Sequence, residues 1–288
     1  MKYYLFVILA AIGLSFIGVF VKLLGDDIPI MTLNFYRIFI GFLFLLMICP
    51  LLDKSTFKPS RQDLKEYFVV GFVTACAVTL LQLAYFFSSI QEVVVLNYTF
   101  PFIVLFLSML ILGEKITSRK LYSMLIAFIG IIIMNPFSLG NLDSLYGNIL
   151  ALLSAIATAT MVVVMRKEDK NHTIGSVVWY FFFASLLLSP SLFIYGLGDI
   201  SNWPLILLFG FITIALTYTF LNIGMEKIEA DMSSAIIMIL TPLSAFLLAI
   251  FLIGEDFTIR AAIGGFFLIL GGIFLNIHKK VPIFHIRR

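Results

Sequence analysis

The feature that most constrains this chain is a succession of ten long apolar runs separated by short polar breaks. They cover residues 3–24, 31–52, 67–87, 92–112, 119–136, 145–165, 175–197, 203–223, 232–252 and 258–277. Hydrocarbon offers no partner to a backbone N–H or C=O. Runs of about 20 apolar residues therefore cross a bilayer as helices, which satisfy their own backbone. The breaks carry turn chemistry, as in GDDIP, KPSRQD, NPFSLGN and GLGDISNWP, and none leaves room for a soluble domain. Composition agrees, because only 12% of the residues are charged, about half the share usual in soluble domains. The opening MKYYLFVILAAIGLSFIGVF is too long for a signal-peptide core and reads as an uncleaved first span. The expected fold class is an all-α integral membrane protein with ten transmembrane helices.

Charge placement orients these spans. Sixteen of the 19 basic residues fall in one set of loops and at both termini, against Lys22 and Arg260 in the other set and Arg37 inside a span. Basic loops stay cytoplasmic, so both termini are expected inside a cytoplasmic membrane.

The phrase ILGEKITSR at 111–119 then returns as LIGEDFTIR at 252–260. Gly113 and Gly254, Glu114 and Glu255, Thr117 and Thr258, and Arg119 and Arg260 match at an offset of 141, as do Pro101 with Pro242 and Gly130 with Gly271. A collinear set over 30 residues marks an internal repeat. Weaker agreement at offset 144 pairs Lys22 with Arg166 and Tyr36 with Tyr180. The offset carries an odd number of spans, so residues 1–143 and 144–288 form two five-helix halves of opposite orientation. Inverted repeats recur in secondary transporters, with the substrate near midplane between the halves.

The repeated phrase has a local reading. Gly113 and Gly254 suit a left-handed helix end. Thr117 and Thr258 suit the N-cap of the next helix. Glu114 and Glu255 can meet helix N-termini or a neighbouring Arg, a ligand role being the other reading. Pro101 and Pro242, near the middle of spans four and nine, allow either a working kink or a fixed bend.

On these residues the chain resembles the EamA type of the drug/metabolite transporter superfamily. The shared pattern is Pro, about a dozen apolar residues, Gly-Glu-x-x-Thr and a glycine-bearing helix, once in each half. The resemblance spans essentially the whole chain and is strongest over 84–136 and 225–277. It implies ten helices in two inverted halves around a central cavity, lined by the third and fourth helices and their symmetry mates. It also implies alternating access, and export of an amino acid (aromatic or other apolar), of another small metabolite, or of a toxic compound.

Polar residues within these spans are candidates for the site, because lipid turns such groups inward. Gln82 and Tyr85 stand in span three, Asn97 and Tyr98 in span four, and Tyr218 and Asn222 in span eight. Each suits binding a substrate or bonding a neighbouring helix. Arg37 lies roughly 9 Å into span two. It can receive a carboxylate as a bidentate partner, or it can reach the outer surface and pair with Asp26 or Asp27. Trp179 and Tyr180 suit the pathway or the interface, and Ala151, Ala155 and Ala159 suit close helix packing. All sixteen acidic residues lie in loops or near helix ends, which disfavours a cation pump or a mid-membrane proton relay.

No cofactor or metal is called for. His172, His278 and His285 fall in a loop and the tail, and there is no H-E-x-x-H or G-x-S-x-G, so a membrane enzyme is the weaker class. The expected partners are a small-molecule substrate and the bilayer. Nucleic acid is not among them, and no oligomer is required.

Overall fold

The computed structural model describes residues 2–25, 27–52, 59–88, 93, 96–134, 142–168, 175–254, 259–276 and 282–284. Long helices dominate. They are α1 (Lys2–Leu24), α2 (Ile30–Leu52), α3 (Arg61–Phe87), α4 (Phe100–Leu107), α5 (Ser118–Met134) and α6 (Leu142–Glu168) in the first part of the chain. α7 (Ser176–Leu188), α8 (Ser191–Tyr195), α9 (Trp203–Gly210), α10 (Thr217–Met225), α11 (Ala230–Leu248) and α12 (Ile259–Asn276) follow. Their sequences supply their own ends. Before α3, Ser60 and Asp63 each accept from the other's backbone N–H, a reciprocal cap that fixes the start of the helix.

Among the described residues, seven helices are long and apolar enough to cross a membrane, and Phe100–Leu112 and Ala262–Phe274 are shorter apolar helices. Large apolar side chains cover the outside, as at Phe72, Leu110, Phe251 and Phe266. Hydrocarbon replaces water there, so the exposure costs nothing. This is a multi-pass membrane protein.

Two expectations need correction. Span four is not one continuous helix: Tyr98 and Thr99 form a turn and Pro101 stands in the first turn of α4 rather than at mid-helix. The Thr99 N–H and hydroxyl both donate to the Leu96 carbonyl, drawing that backbone out of the helical ladder. Span seven breaks at Pro190, which opens the short α8. Beside the all-α bundle, β1 (Ile116–Thr117) pairs antiparallel with β2 (Pro282–Phe284) of the tail. Extended backbone after the Gly113 turn finds its partner there.

Two π-helical turns close α4 and α11, at Ser108–Leu112 and Ala249–Ile253, positions that differ by the repeat offset. Each leads into a left-handed glycine, Gly113 at φ 70° and Gly254 at φ 77°, as the phrase predicted. A third π turn, Phe211–Leu216 between α9 and α10, has no counterpart in α3, which is α-helical throughout.

The most extensive helix pairings join the first five helices to the later ones. α1 packs on α10 and α11, and α6 packs on α3 and α4. α2 packs on α9 and α7 packs on α3, while α2 meets α7, α4 meets α11 and α5 meets α12. Exchanging the two sets of helices returns the same pairs.

The α5–α12 crossing shows this at atomic detail. A Cβ on Gly130 would stand 2.6 Å from the Gly264 carbonyl oxygen, and one on Gly271 would stand 2.9 Å from that of Ser123. Glycine is required at both, and the pairs are related by the repeat offset, Gly130 lying 141 residues before Gly271 and Ser123 141 residues before Gly264. Contacts of Ser123 with Gly271 and of Gly130 with Gly264 also mean that the two helices run antiparallel.

Candidate substrate site

Arg37 sits on α2 where it packs against α9 and the π turn that follows. Neither placement at the surface nor pairing with Asp27 is observed. The side chain is buried, 7% exposed, with its guanidinium carbon 5.6 Å from the centre of the Phe209 ring. Among the described residues no carboxylate, carbonyl or hydroxyl accepts from it, and its Nε is a buried donor with no partner; Asp26 lies outside them. A desolvated cation–π contact supplies about 2 kcal/mol, whereas an Arg within a membrane span costs roughly 2.5–3.5 kcal/mol or more. The ring alone leaves the cation under-compensated.

Two further groups complete this environment. Tyr218, on α10, lies close enough for its hydroxyl and the guanidinium to interact electrostatically, and its ring meets Phe181 edge-on at 4.6 Å. Asn34 precedes Arg37 by one helical turn, on the same face of α2, and its Nδ2 is also buried without an acceptor. The unmatched π turn Phe211–Leu216 runs between Phe209 and Tyr218. Such turns re-aim the side chains around them and concentrate at functional sites. Its orphan carbonyls are covered locally, because Thr213 donates to Phe209 O and Thr217 to Ile212 O.

The remaining candidates stand on α3, α10 and the span-four segment. Asn97 donates to Ser154 Oγ at 3.2 Å, and Ser154 donates to Ala77 O, so the amide ties the span-four segment to α6 and α3. Tyr98 is half-buried beside Phe100. Gln82 is buried on α3 with an unpartnered Oε1. Asn222 is buried one turn beyond Tyr218. Tyr85 is on α3, its side chain outside the described set. Tyr180 is neither interfacial nor exposed: it is 1% exposed, edge-on to Tyr67. Trp179 is half-buried, its ring edge-on to that of Phe182. Ala151, Ala155 and Ala159 are fully buried, as close packing requires, and neither Cys49 nor Cys76 is in a disulfide.

Both ends of the bundle are fastened by bonds between the early and late helices. On the face bearing β1 and β2, Glu114 Oε1 accepts the Ala230 N–H at 3.1 Å, at the start of α11. It also lies 3.7 Å from Arg166 Nε, an ion pair too long to be a hydrogen bond. Nearby, Lys120 on α5 bonds Glu229. Glu114 therefore meets a helix N-terminus and an Arg, as its type suggested, but the helix begins 116 residues further along the chain. The same turn uses Thr117 as cap, its Oγ1 accepting from Lys120 N. Glu255 and Thr258 lie outside the described residues. On the opposite face Thr32 and Tyr36 donate to Gly196 O and Leu197 O, and Asp199 N donates to Asp27 O. Sequence reasoning missed Phe209 and Glu229, because an aromatic in an apolar run and an acid in a loop carry no signal until their partners are placed.

Comparison with known proteins agrees with this architecture. An uncharacterized transporter of Bacillus subtilis, YetK, is 26% identical over 90% of this chain and 82% of its own length. An uncharacterized transporter of Archaeoglobus fulgidus is 25% identical over 92% and 93% respectively. The pseudopaline exporter CntI of Pseudomonas aeruginosa is 27% identical over 73% and 74%. A solved structure, described only as the crystal structure of a protein, superposes with a TM-score of 0.82 over 96% of this chain and 97% of that one. At 14% identity it speaks for the fold alone. The model of the EamA-like transporter family matches twice, over residues 1–135 and 145–277, and the chain belongs to that family.

Proposed function

We propose that the chain is a secondary carrier for a small metabolite, foremost an amino acid with an aromatic or other apolar side chain. It works by alternating access between two inverted five-helix halves, 1–143 and 144–288, of a ten-span protein. The single observation that carries this reading is the self-exchanging packing of early on late helices, with the symmetry-related α5 and α12 antiparallel. Two similar halves that interlock this way can trade conformations and expose one site to either side in turn.

The positive-inside rule puts both termini and the Glu114 turn on the cytoplasmic side of the inner membrane, and the direction of transport is outward. The chemistry near Arg37, one cation with aromatic rings and no acid, fits a zwitterion with an apolar body better than a multiply charged anion. Gln82, Tyr85 and Tyr98 complete the site in the first half, and Asn222 in the second. A larger metabolite is the second reading, favoured by the relative named as a pseudopaline exporter. The family and its relatives point to transport rather than catalysis.

The test is efflux from proteoliposomes loaded with each amino acid in turn, beside a panel of other metabolites. Export of one or a few apolar amino acids supports the proposal. Flux confined to another class of compound overturns the amino-acid assignment.

A further inference from the structure

Two buried donors at this site have no acceptor. Arg37 Nε and Asn34 Nδ2 are both buried and unpartnered, and both residues are less than a tenth exposed. They stand three residues apart on α2 and so on one face of the helix. The guanidinium carbon lies over the Phe209 ring, while the Nε donor is left without an acceptor. A guanidinium fork matches two oxygens of one planar anion.

We propose that Arg37, assisted by the Asn34 amide, is the anchor for a single carboxylate group of the transported molecule. This rests on the carrier reading given above. Charge arithmetic selects the class. By sequence Arg37 is the basic residue deepest within a span, and no acidic residue lies in the span cores, so one negative charge neutralises the site. A monocarboxylate or an amino-acid zwitterion fits. A phosphate dianion leaves a net negative charge in low dielectric and does not. The remainder of the ligand faces the Phe181 and Tyr218 rings, which accept an apolar body or an ammonium group. The halves meet at this point, with Arg37 on α2 and Phe209 and Tyr218 on α9 and α10. Bound carboxylate therefore bridges the two bodies that move.

The experiment uses the full-length protein reconstituted in phosphatidylcholine. Twenty amino acids are screened by thermal shift and by flux, each active one beside its carboxamide and its decarboxylated amine. The expected result is that every stabilising or transported compound bears a carboxylate, and that its amide and amine bind at least tenfold more weakly. R37Q abolishes this preference, while its melting temperature without ligand equals or exceeds that of the parent, because an uncompensated charge has been removed. Arg37→Lys retains the charge without the fork and binds with intermediate strength. Amides or amines moved as fast as the acids, or unchanged flux in R37Q, overturn the anchor and leave the carrier reading standing. A lowered melting temperature in ligand-free R37Q with carboxylate selectivity intact assigns Arg37 to packing, which also overturns it. Stabilisation of the parent by anionic lipid, lost in R37Q, assigns the site to a headgroup phosphate instead. If no compound moves or binds at all, the carrier reading fails and the anchor falls with it.

Discussion

Replacing Glu114 by Ala removes two interactions that join segments far apart in the chain. Its carboxylate accepts the Ala230 N–H, the first donor of α11, and faces Arg166 at 3.7 Å. Both side chains are about nine-tenths covered, so water cannot replace what is lost. A hydrogen bond to a charged group contributes about 1.5–3 kcal/mol, and the α11 dipole adds roughly 0.3–1 kcal/mol. Arg166, which has no other partner among the described residues, is left as a buried uncompensated charge. Breaking one side of such a pair costs about 3–5 kcal/mol, against about 0.6 kcal/mol for an average hydrogen bond between membrane helices. The larger figure governs, because desolvation of Arg166 outweighs the bond itself.

Glu114→Gln keeps an acceptor for Ala230 and loses only the charge, so its cost falls between those limits. The assay is equilibrium unfolding in mixed micelles, completed as a double-mutant cycle with Arg166→Leu. A coupling of about 1–2 kcal/mol is expected, since removing both partners relieves the orphaned cation. A Glu114→Ala cost under about 0.6 kcal/mol, or strict additivity with Arg166→Leu, refutes the interlock.

Other perturbations separate backbone, packing and binding roles. Gly113→Ala and Gly254→Ala meet no atom within 4 Å, yet their φ values of 70° and 77° impose left-handed strain; each is expected to cost about 1–2 kcal/mol in the same assay. Gly130→Ala forces α5 and α12 apart, because the new Cβ meets the Gly264 carbonyl at 2.6 Å, and should lower stability by about 1–3 kcal/mol. Asn97→Leu should cost about 0.6 kcal/mol and leave flux intact, its amide being spent on Ser154, whereas Asn222→Leu should reduce flux with little change in melting temperature. Cysteines placed at Lys115 and Ser201, in a chain lacking Cys49 and Cys76, should label from opposite sides of the membrane; labelling from one side contradicts the orientation.

Much of the fold was legible because its causes are local. Twenty apolar residues in a row admit only a helix in lipid, and the Gly-Glu-x-x-Thr phrase encodes a left-handed stop followed by a cap. Gly113 takes the left-handed conformation and Thr117 caps the Lys120 N–H three residues on, both local to the phrase itself. Pro101 and Pro242 show where local reasoning ran out. They match in sequence, yet Pro101 opens a helix while Pro242 lies within one. The difference lies in neighbouring threonines: Thr99 bonds its own backbone at Leu96, whereas Thr241 bonds Ala11 on another helix.

The sequence by itself determined the membrane class, the duplication with its odd offset, the two glycine turns and the list of polar residues within the spans. Those follow from hydropathy, periodicity and backbone sterics, which act over a few residues. Only the tertiary structure decided which polar groups meet. It spent Asn97 on a helix contact, joined Glu114 to the start of the distant α11, and buried Arg37 on the Phe209 ring with no carboxylate to answer it among the described residues. Such pairings join residues more than fifty positions apart, and they depend on how ten or more packed segments cross. No window of the chain contains both partners, so no window can show whether a charge is satisfied.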